Sequence, residues 1–294
     1  MHWKKVALIG VGLLGGSVGL ALKRARLARS VTGFVRRRAS IRECKRAGAV
    51  DIASLDLEDA VRGADLIILC TPIAQMKRLV GQMTPFLGKG AIITDVGSVK
   101  GSVVHQLESL AKRAGAHFVG SHPMAGAERM GVSAAKADLF KDAVCVVTPT
   151  RGTPKKALRK VEGFWKSLGS RVLRLSPEAH DRLVSKSSHL PHVVATVLAH
   201  SVLAPDNPSA QRQLCANGFR DTTRIASGSP EMWRDIALAN KTNLRRTLSS
   251  FIRDLRKFHA LLERADEKAI TKFFEEAKSR RDQWRATQIS TSPE

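Results

Sequence analysis

Residues 10–15 read GVGLLG, and their setting limits the possible folds of this chain more than any other stretch does. They directly follow the apolar run VALIG (6–10) and open the amphipathic stretch GSVGLALKRARL (16–27). A G-x-G-x-x-G pattern between a strand and a helix is the turn that lets backbone approach a pyrophosphate. Gly10 permits the tight turn, Gly12 removes a side chain where phosphate comes close, and Gly15 lets the helix pack on the strand. The amides of the helix N-terminus then face the anion. Gly10, Gly12, Leu13 and Gly15 are therefore candidate cofactor-binding residues.

The alternation continues for about 175 residues. VTGF (31–34), LIILC (66–70), AIITDV (91–96), HFVGS (117–121), VCVVT (144–148) and RVLRL (171–175) read as buried strands. SIRECKRAGA (40–49), GSVVHQLESLAKRAG (101–115) and KKALRKVEGFWKSLG (155–169) read as helices between them. Strand and helix in strict alternation predict an α/β fold, a Rossmann-type doubly wound parallel sheet over residues 1–175. After Ser176-Pro177 the strand-like runs stop, and residues 176–294 read as an all-helical domain. There Trp233, Ile236, Leu244, Leu248, Phe251, Ile252, Leu255, Phe258 and Leu262 recur at spacings of three and four, with a longer gap before Leu244. They form an apolar stripe on one long helix. A second helix carries Ile270, Phe273, Phe274 and Ala277, and the last dozen residues are expected to fray. So long a stripe in so small a domain predicts a homodimer joined through these helices, an intramolecular bundle being the alternative.

The strand ends carry the chemistry. A site that binds NAD usually has an acid after the second strand, on the ribose 2′-hydroxyl. Here Val35 holds that place and Arg36, Arg37 and Arg38 follow. Guanidinium pairs with a 2′-phosphate that an acid would repel, which favours NADP over NAD. A solvated basic turn reads the same way. CTP (70–72) and DVGSVKG (95–101) end the third and fourth long strands, where open α/β sheets bind ligands. That marks Thr71 and Ser98. GSHPMAGAE (120–128) places His122 at the same edge, among small residues that leave room for a ligand. From position alone, a proton acceptor and a buried structural histidine are equally consistent.

Net charge is +23, divided as +11 over residues 1–150 and +12 over the remainder, with no basic tail. Such a field attracts phosphates and carboxylates. Aromatic residues make up only 5% and do not interleave with the basic runs, so no specific nucleic-acid partner is expected. No apolar run is long enough for a membrane span, and MHWKKVALIG reads as a first strand and not as a signal peptide. The four cysteines make no C-x-x-C pair, which fits a reducing cytoplasm and predicts no metal site.

Taken together, GVGLLGGS (10–17), DVGSVKG, GSHPMAGAE, SHLPH (188–192) and GFRDTTRIASGSPEMWRDI (218–236) resemble the prephenate/arogenate (cyclohexadienyl) dehydrogenase family of tyrosine biosynthesis. The resemblance runs from residue 6 to about 260. It implies a Rossmann domain followed by a helical dimerisation domain. The implied reaction is oxidative decarboxylation of prephenate, arogenate or both, with hydride transfer to NADP or NAD, giving 4-hydroxyphenylpyruvate or tyrosine. By the same resemblance His122 accepts the proton of the ring hydroxyl, Ser98 holds that hydroxyl, and Arg224 binds a substrate carboxylate. His192 would lie near the substrate side chain, Glu128, Arg220 and Asp221 in or around the pocket, and Trp233 within reach of the partner subunit's site. No fused mutase or ACT domain is expected within these residues, so feedback by tyrosine would act at the active site. His189 receives no role. The competing expectation is another two-domain NADP reductase of imine or β-hydroxyacid type, for which Lys186 is the only lysine near the expected place.

Overall fold

A computed structural model describes residues 2–126 and 129–290, with side chains to residue 287. Eight strands, β1 (Trp3–Ile9), β2 (Ala28–Phe34), β3 (Ile52–Ser54), β4 (Leu66–Leu69), β5 (Ile92–Asp95), β6 (His117–Pro123), β7 (Val144–Thr148) and β8 (Arg171–Arg174), form one sheet. Their order is β3-β2-β1-β4-β5-β6-β7-β8. The helices that cover this sheet are α1 (Leu13–Arg24), α2 (Arg38–Ala47), α3 (Leu57–Val61), α4 (Ile73–Met83), α5 (Gly101–Arg113) and α6 (Lys155–Ser167).

Successive strand residues point to opposite faces, so a strand covered on both sides must be apolar throughout. β1 shows this directly. Val6 and Leu8 join a core with Leu22, Phe140 and Trp165, whereas Ala7 and Ile9 join a second core with Met76, Leu79 and Phe118. The sheet is thus doubly wound, and the strand order reverses around β1, between β2 and β4. Ligands of such sheets sit outside the carboxyl ends of the strands at that reversal.

Two features differ from the sequence reading. β7 runs antiparallel to β6, with His122 opposite Val146, while all other pairs are parallel. A parallel return needs a crossover helix. Among its described residues the 124–143 connection has only the 3₁₀ turn Val132–Ala134, so the chain comes back antiparallel. The short strand β3 was not expected, because three residues beginning with an exposed Ile52 leave no periodic signal.

No strand follows β8 among the described residues. The helices there are α7 (Pro177–Val184), α8 (Leu190–Val202), α9 (Ser209–Gln213), α10 (Asn217–Thr223), α11 (Pro230–Ala239), α12 (Lys241–Glu263) and α13 (Glu267–Ser290). α7 starts as its sequence dictates: Pro177 stands in the first turn, and the Ser176 hydroxyl accepts the amide of Ala179 at 3.1 Å. The long stripe is broken into α11 and α12 at Asn240, a buried residue whose side chain is taken up in tertiary hydrogen bonds. α13 continues to Ser290, into the stretch expected to fray. By compactness the chain forms two units, Met1–Leu244 and Arg245–Glu294. The second is a helical pair in which Phe258 meets Phe273 and Phe274, with ring centroids 5.0 and 5.6 Å away.

Candidate active site

The turn after β1 has the geometry its glycines predict. Gly10 has φ of +97°, and a Cβ there would stand 2.9 Å from the Cys70 carbonyl oxygen. A Cβ on Gly15 would lie 2.1 Å from the Gly10 carbonyl oxygen, so only glycine lets α1 sit this close. At Gly12, by contrast, a Cβ would meet nothing within 4 Å. α1 begins at Leu13 with no side chain capping its first amides. Beside it, the buried Oγ1 of Thr71 has no hydrogen-bond partner. Uncapped amides, an open face at Gly12 and an orphaned hydroxyl together fit a dinucleotide phosphate. Val35 is only 4% exposed and belongs to the core, while Arg36, Arg37 and Arg38 are exposed where α2 begins. That helix has no acid in its first turn.

Further along the same edge stands His122, 7% exposed near the end of β6. Its Nδ1 is 2.9 Å from Nε2 of His180, and Nδ1 of His180 is 2.8 Å from Oδ1 of Asp181. The Asp181 carboxylate also accepts the main-chain amides of Lys100 at 2.7 Å and Gly101 at 2.8 Å, where α5 begins. These bonds set the tautomers in turn. A carboxylate only accepts, so His180 carries its proton on Nδ1 and presents a lone pair at Nε2. That lone pair takes the Nδ1–H of His122, which leaves Nε2 of His122 as a bare acceptor. Burial pushes the His122 imidazole well below its ordinary range, and His180, Lys100 and His189 add to the effect. Burial also lowers His180, against the pull of Asp181. Both rings are therefore neutral at neutral pH, and the lone pair stays available.

Beneath this relay lies a wholly buried ion pair between Lys100 and Asp95. Lys100 Nζ also donates to the Ser121 carbonyl at 2.8 Å. Asp95 accepts the amides of Gly97 at 2.9 Å and Ser121 at 3.0 Å. The pair thus ties the turn carrying Ser98, itself half-buried, to the strand carrying His122. Gly97 is required there, because a Cβ would stand 2.9 Å from both Asp95 Oδ2 and the Ile73 side chain.

The helical side brings a different group together. His192, on α8, stacks on Trp233 of α11 with centroids 3.5 Å apart and planes 13° off parallel. Gly228 presses against both, since a Cβ there would lie 2.7 Å from Trp233 Nε1 and 3.2 Å from His192 Cε1. With His189, Val193 and Ile236 these residues line a cavity of about 380 Å³. Burial lowers the His192 imidazole as well. Arg220 and Asp221 pair with each other at 3.7 Å on the exposed face of α10. Arg224 is exposed at the start of the 3₁₀ turn Arg224–Ser227, which packs against α8. Glu128 lies outside the described residues. His180, Asp181, Asp95 and Lys100 were not singled out from sequence. Their roles come from docking of α7 on α5 and β6, which no local pattern announces.

Comparison with known proteins agrees with this architecture. Residues 18–174 match the prephenate dehydrogenase nucleotide-binding domain, and residues 176–276 match the prephenate dehydrogenase dimerization domain. The chain is 36% identical over 283 residues to the cyclohexadienyl dehydrogenase of Zymomonas mobilis, covering 95% of each chain. It is 35% identical over 280 residues to the prephenate dehydrogenase of Bacillus subtilis, covering 94% of this chain and 75% of that one. Among solved structures, prephenate dehydrogenase from A. aeolicus in complex with hydroxyphenyl propionate and NAD+ superimposes with a TM-score of 0.90 at 32% identity. That match covers 96% of this chain and 99% of the other. A 3-hydroxyisobutyrate dehydrogenase of Mycobacterium tuberculosis, a β-hydroxyacid enzyme, also matches, but at 15% identity and a TM-score of 0.53 that likeness is one of fold alone. The competing reductase expectation is therefore not better supported. Among the described residues no helix is long and apolar enough to cross a membrane.

Proposed function

Because the chain belongs to the prephenate dehydrogenase family, we propose that it oxidises prephenate, arogenate or both at the ring carbinol, with loss of the ring carboxylate as CO2. The observation that carries this reading is the relay from Asp181 through His180 to Nδ1 of His122 at the carboxyl edge of the sheet, which leaves Nε2 of His122 to accept a proton. When bound, a nicotinamide dinucleotide would supply the hydride acceptor for the carbinol carbon. Gly10, Gly12, Leu13, Gly15 and Thr71 would hold its phosphates and the ribose beside them.

His122 accepts the hydroxyl proton as the carbinol becomes a carbonyl. A low basicity is sufficient, because that proton grows acidic as hydride leaves. The electrons of the breaking bond to the carboxylate then enter the ring and make it aromatic. The oxygen becomes a phenolate and takes the proton back from His122, so proton and charge balance without a separate acid. Ser98 holds the same oxygen. Arg224 binds a substrate carboxylate through its fork of N–H donors. His192 and Trp233, which stack on each other within this chain although the resemblance put Trp233 within reach of the partner's site, wall the side-chain end, with Arg220 and Asp221 at the rim.

Arg36 and Arg37 favour NADP, since a 2′-phosphate finds guanidinium there and no acid. We also assign a homodimer formed through the C-terminal helices, supported by exposed Leu255, Leu262 and Phe274. Sedimentation at twice the 32.0 kDa chain mass is expected, and a monomer would overturn it. We propose cytoplasmic residence, a compartment that four free cysteines suit, and cell fractionation tests it. The reaction itself is tested by measuring CO2 and reduced nicotinamide from prephenate or arogenate. They should form in equal amounts, and reduction without CO2 would contradict decarboxylation.

A further inference from the structure

One buried histidine has no part in that mechanism. His189 is 1% exposed, and it closes the five-residue π-turn Ser185–His189 that joins α7 to α8. A π-turn inside a helix is rare and is frequently found at functional sites. Here the extra residue sets the ring edge-on to Trp233, with centroids 6.1 Å apart, in the wall of the cavity it shares with His192.

Its tautomer is fixed from two sides. Asn240 Nδ2 donates to the Asp181 carbonyl at 2.9 Å, and Asn240 Oδ1 accepts from Asn243 at 2.9 Å, so the amide orientation is set. The same Nδ2, 3.2 Å away, donates to Nδ1 of His189. The ring proton therefore sits on Nε2. That Nε2–H has no hydrogen-bond partner. The Ser98 main chain faces the ring and favours its charged form, yet makes no hydrogen bond of normal geometry with it. Burial, the largest influence, holds His189 down at about 4, so the ring is a neutral donor under working conditions. A buried donor left unmet is rare and calls for an acceptor.

We infer that His189 is a further substrate-binding residue, whose Nε2–H donates to an oxygen of the bound cyclohexadienol between the Ser98 turn and the His192–Trp233 wall. This rests on the proposed reaction and adds a contact to it. The ring lines one cavity with His192 and Trp233, and a charge on His180 or His192 would be felt at it, as its own charge would be felt at His122.

His189→Phe keeps the ring shape without the donor, and His189→Gln returns an N–H near the position of Nε2. The Phe variant should raise KM for the substrate about 3- to 10-fold, the worth of one neutral hydrogen bond. Its kcat and cofactor affinity should change little, and the Gln variant should recover most of the loss. In the wild-type enzyme labelled with ¹⁵N-histidine, the Nε2–H resonance of His189 should move downfield when 4-hydroxyphenylpyruvate binds. This readout stands even if the Phe variant does not fold. Wild-type turnover with KM unchanged in the Phe variant would overturn the inference alone, as would an Nε2–H resonance that ignores the ligand. Equal losses in both variants, with weakened cofactor binding, would overturn it in favour of a structural ring. A wild-type enzyme inactive on both prephenate and arogenate would overturn the proposed reaction and this inference together.

Discussion

Nε2 of His122 is an acceptor because two bonds behind it leave no other choice: Asp181 orients His180, and Nε2 of His180 accepts the single N–H of His122 at Nδ1. His122→Asn should therefore lower kcat by about 10²–10⁴-fold, the usual contribution of a positioned base, with the fold and dinucleotide affinity retained. Turnover near the wild-type rate would remove His122 from the mechanism. At the other end of the site, Arg36→Ala should raise KM for NADP about tenfold and leave KM for NAD nearly unchanged. Equal effects on both cofactors would show that the arginines only solvate the turn. The places of His122, Ser98 and the glycines of the first turn at strand ends were legible from the pattern, but the role of His122 was not. Position alone left it equally a structural histidine, and only the family resemblance made it a base. His180 was not legible. It lies 58 residues from its partner, and only tertiary docking brings the two rings together.

Between elements, the buried pair Lys100–Asp95 does what neither strand does alone: it fixes the end of β5 to the end of β6 through Ser121 and Gly97. Lys100→Met would leave the Asp95 charge buried without its counter-ion. It should cost about 3–5 kcal/mol, read as a fall in urea midpoint, and Asp95→Asn added to it should recover part of that. A loss below about 1 kcal/mol would mean that Asp95 is satisfied by amides alone. The existence of β5, β6 and β7 was readable from their apolar runs. The direction of β7 was not, since among the described residues of 124–143 there is no crossover helix. The break at Asn240 escaped the periodic reading for a related reason. Its side chain serves Asp181 and His189, and that tertiary demand outweighs the continuity of the stripe.

For the molecule as a whole, the buried histidines link stability to pH. His122, His180 and His189 all titrate below their ordinary value of 6.5 in the folded chain, and His189 reaches about 4. As pH falls below about 6.5 the unfolded chain binds protons that the native chain refuses. Folding stability should thus be fully present above 6.5 and fall towards 4, by about 1.4 kcal/mol per pH unit for each histidine that remains neutral. Urea titrations at pH 7.5, 6, 5 and 4.5 check this, and a flat profile would show that the rings become charged without cost.

Every role assigned to these residues depends on the proposed reaction. Initial rates of nicotinamide reduction, with prephenate or arogenate and with NADP or NAD in all four pairings, test it most directly. The expected result is turnover with at least one substrate and a higher kcat/KM with NADP. Silence in all four pairings, from folded protein that binds NADP, would contradict it.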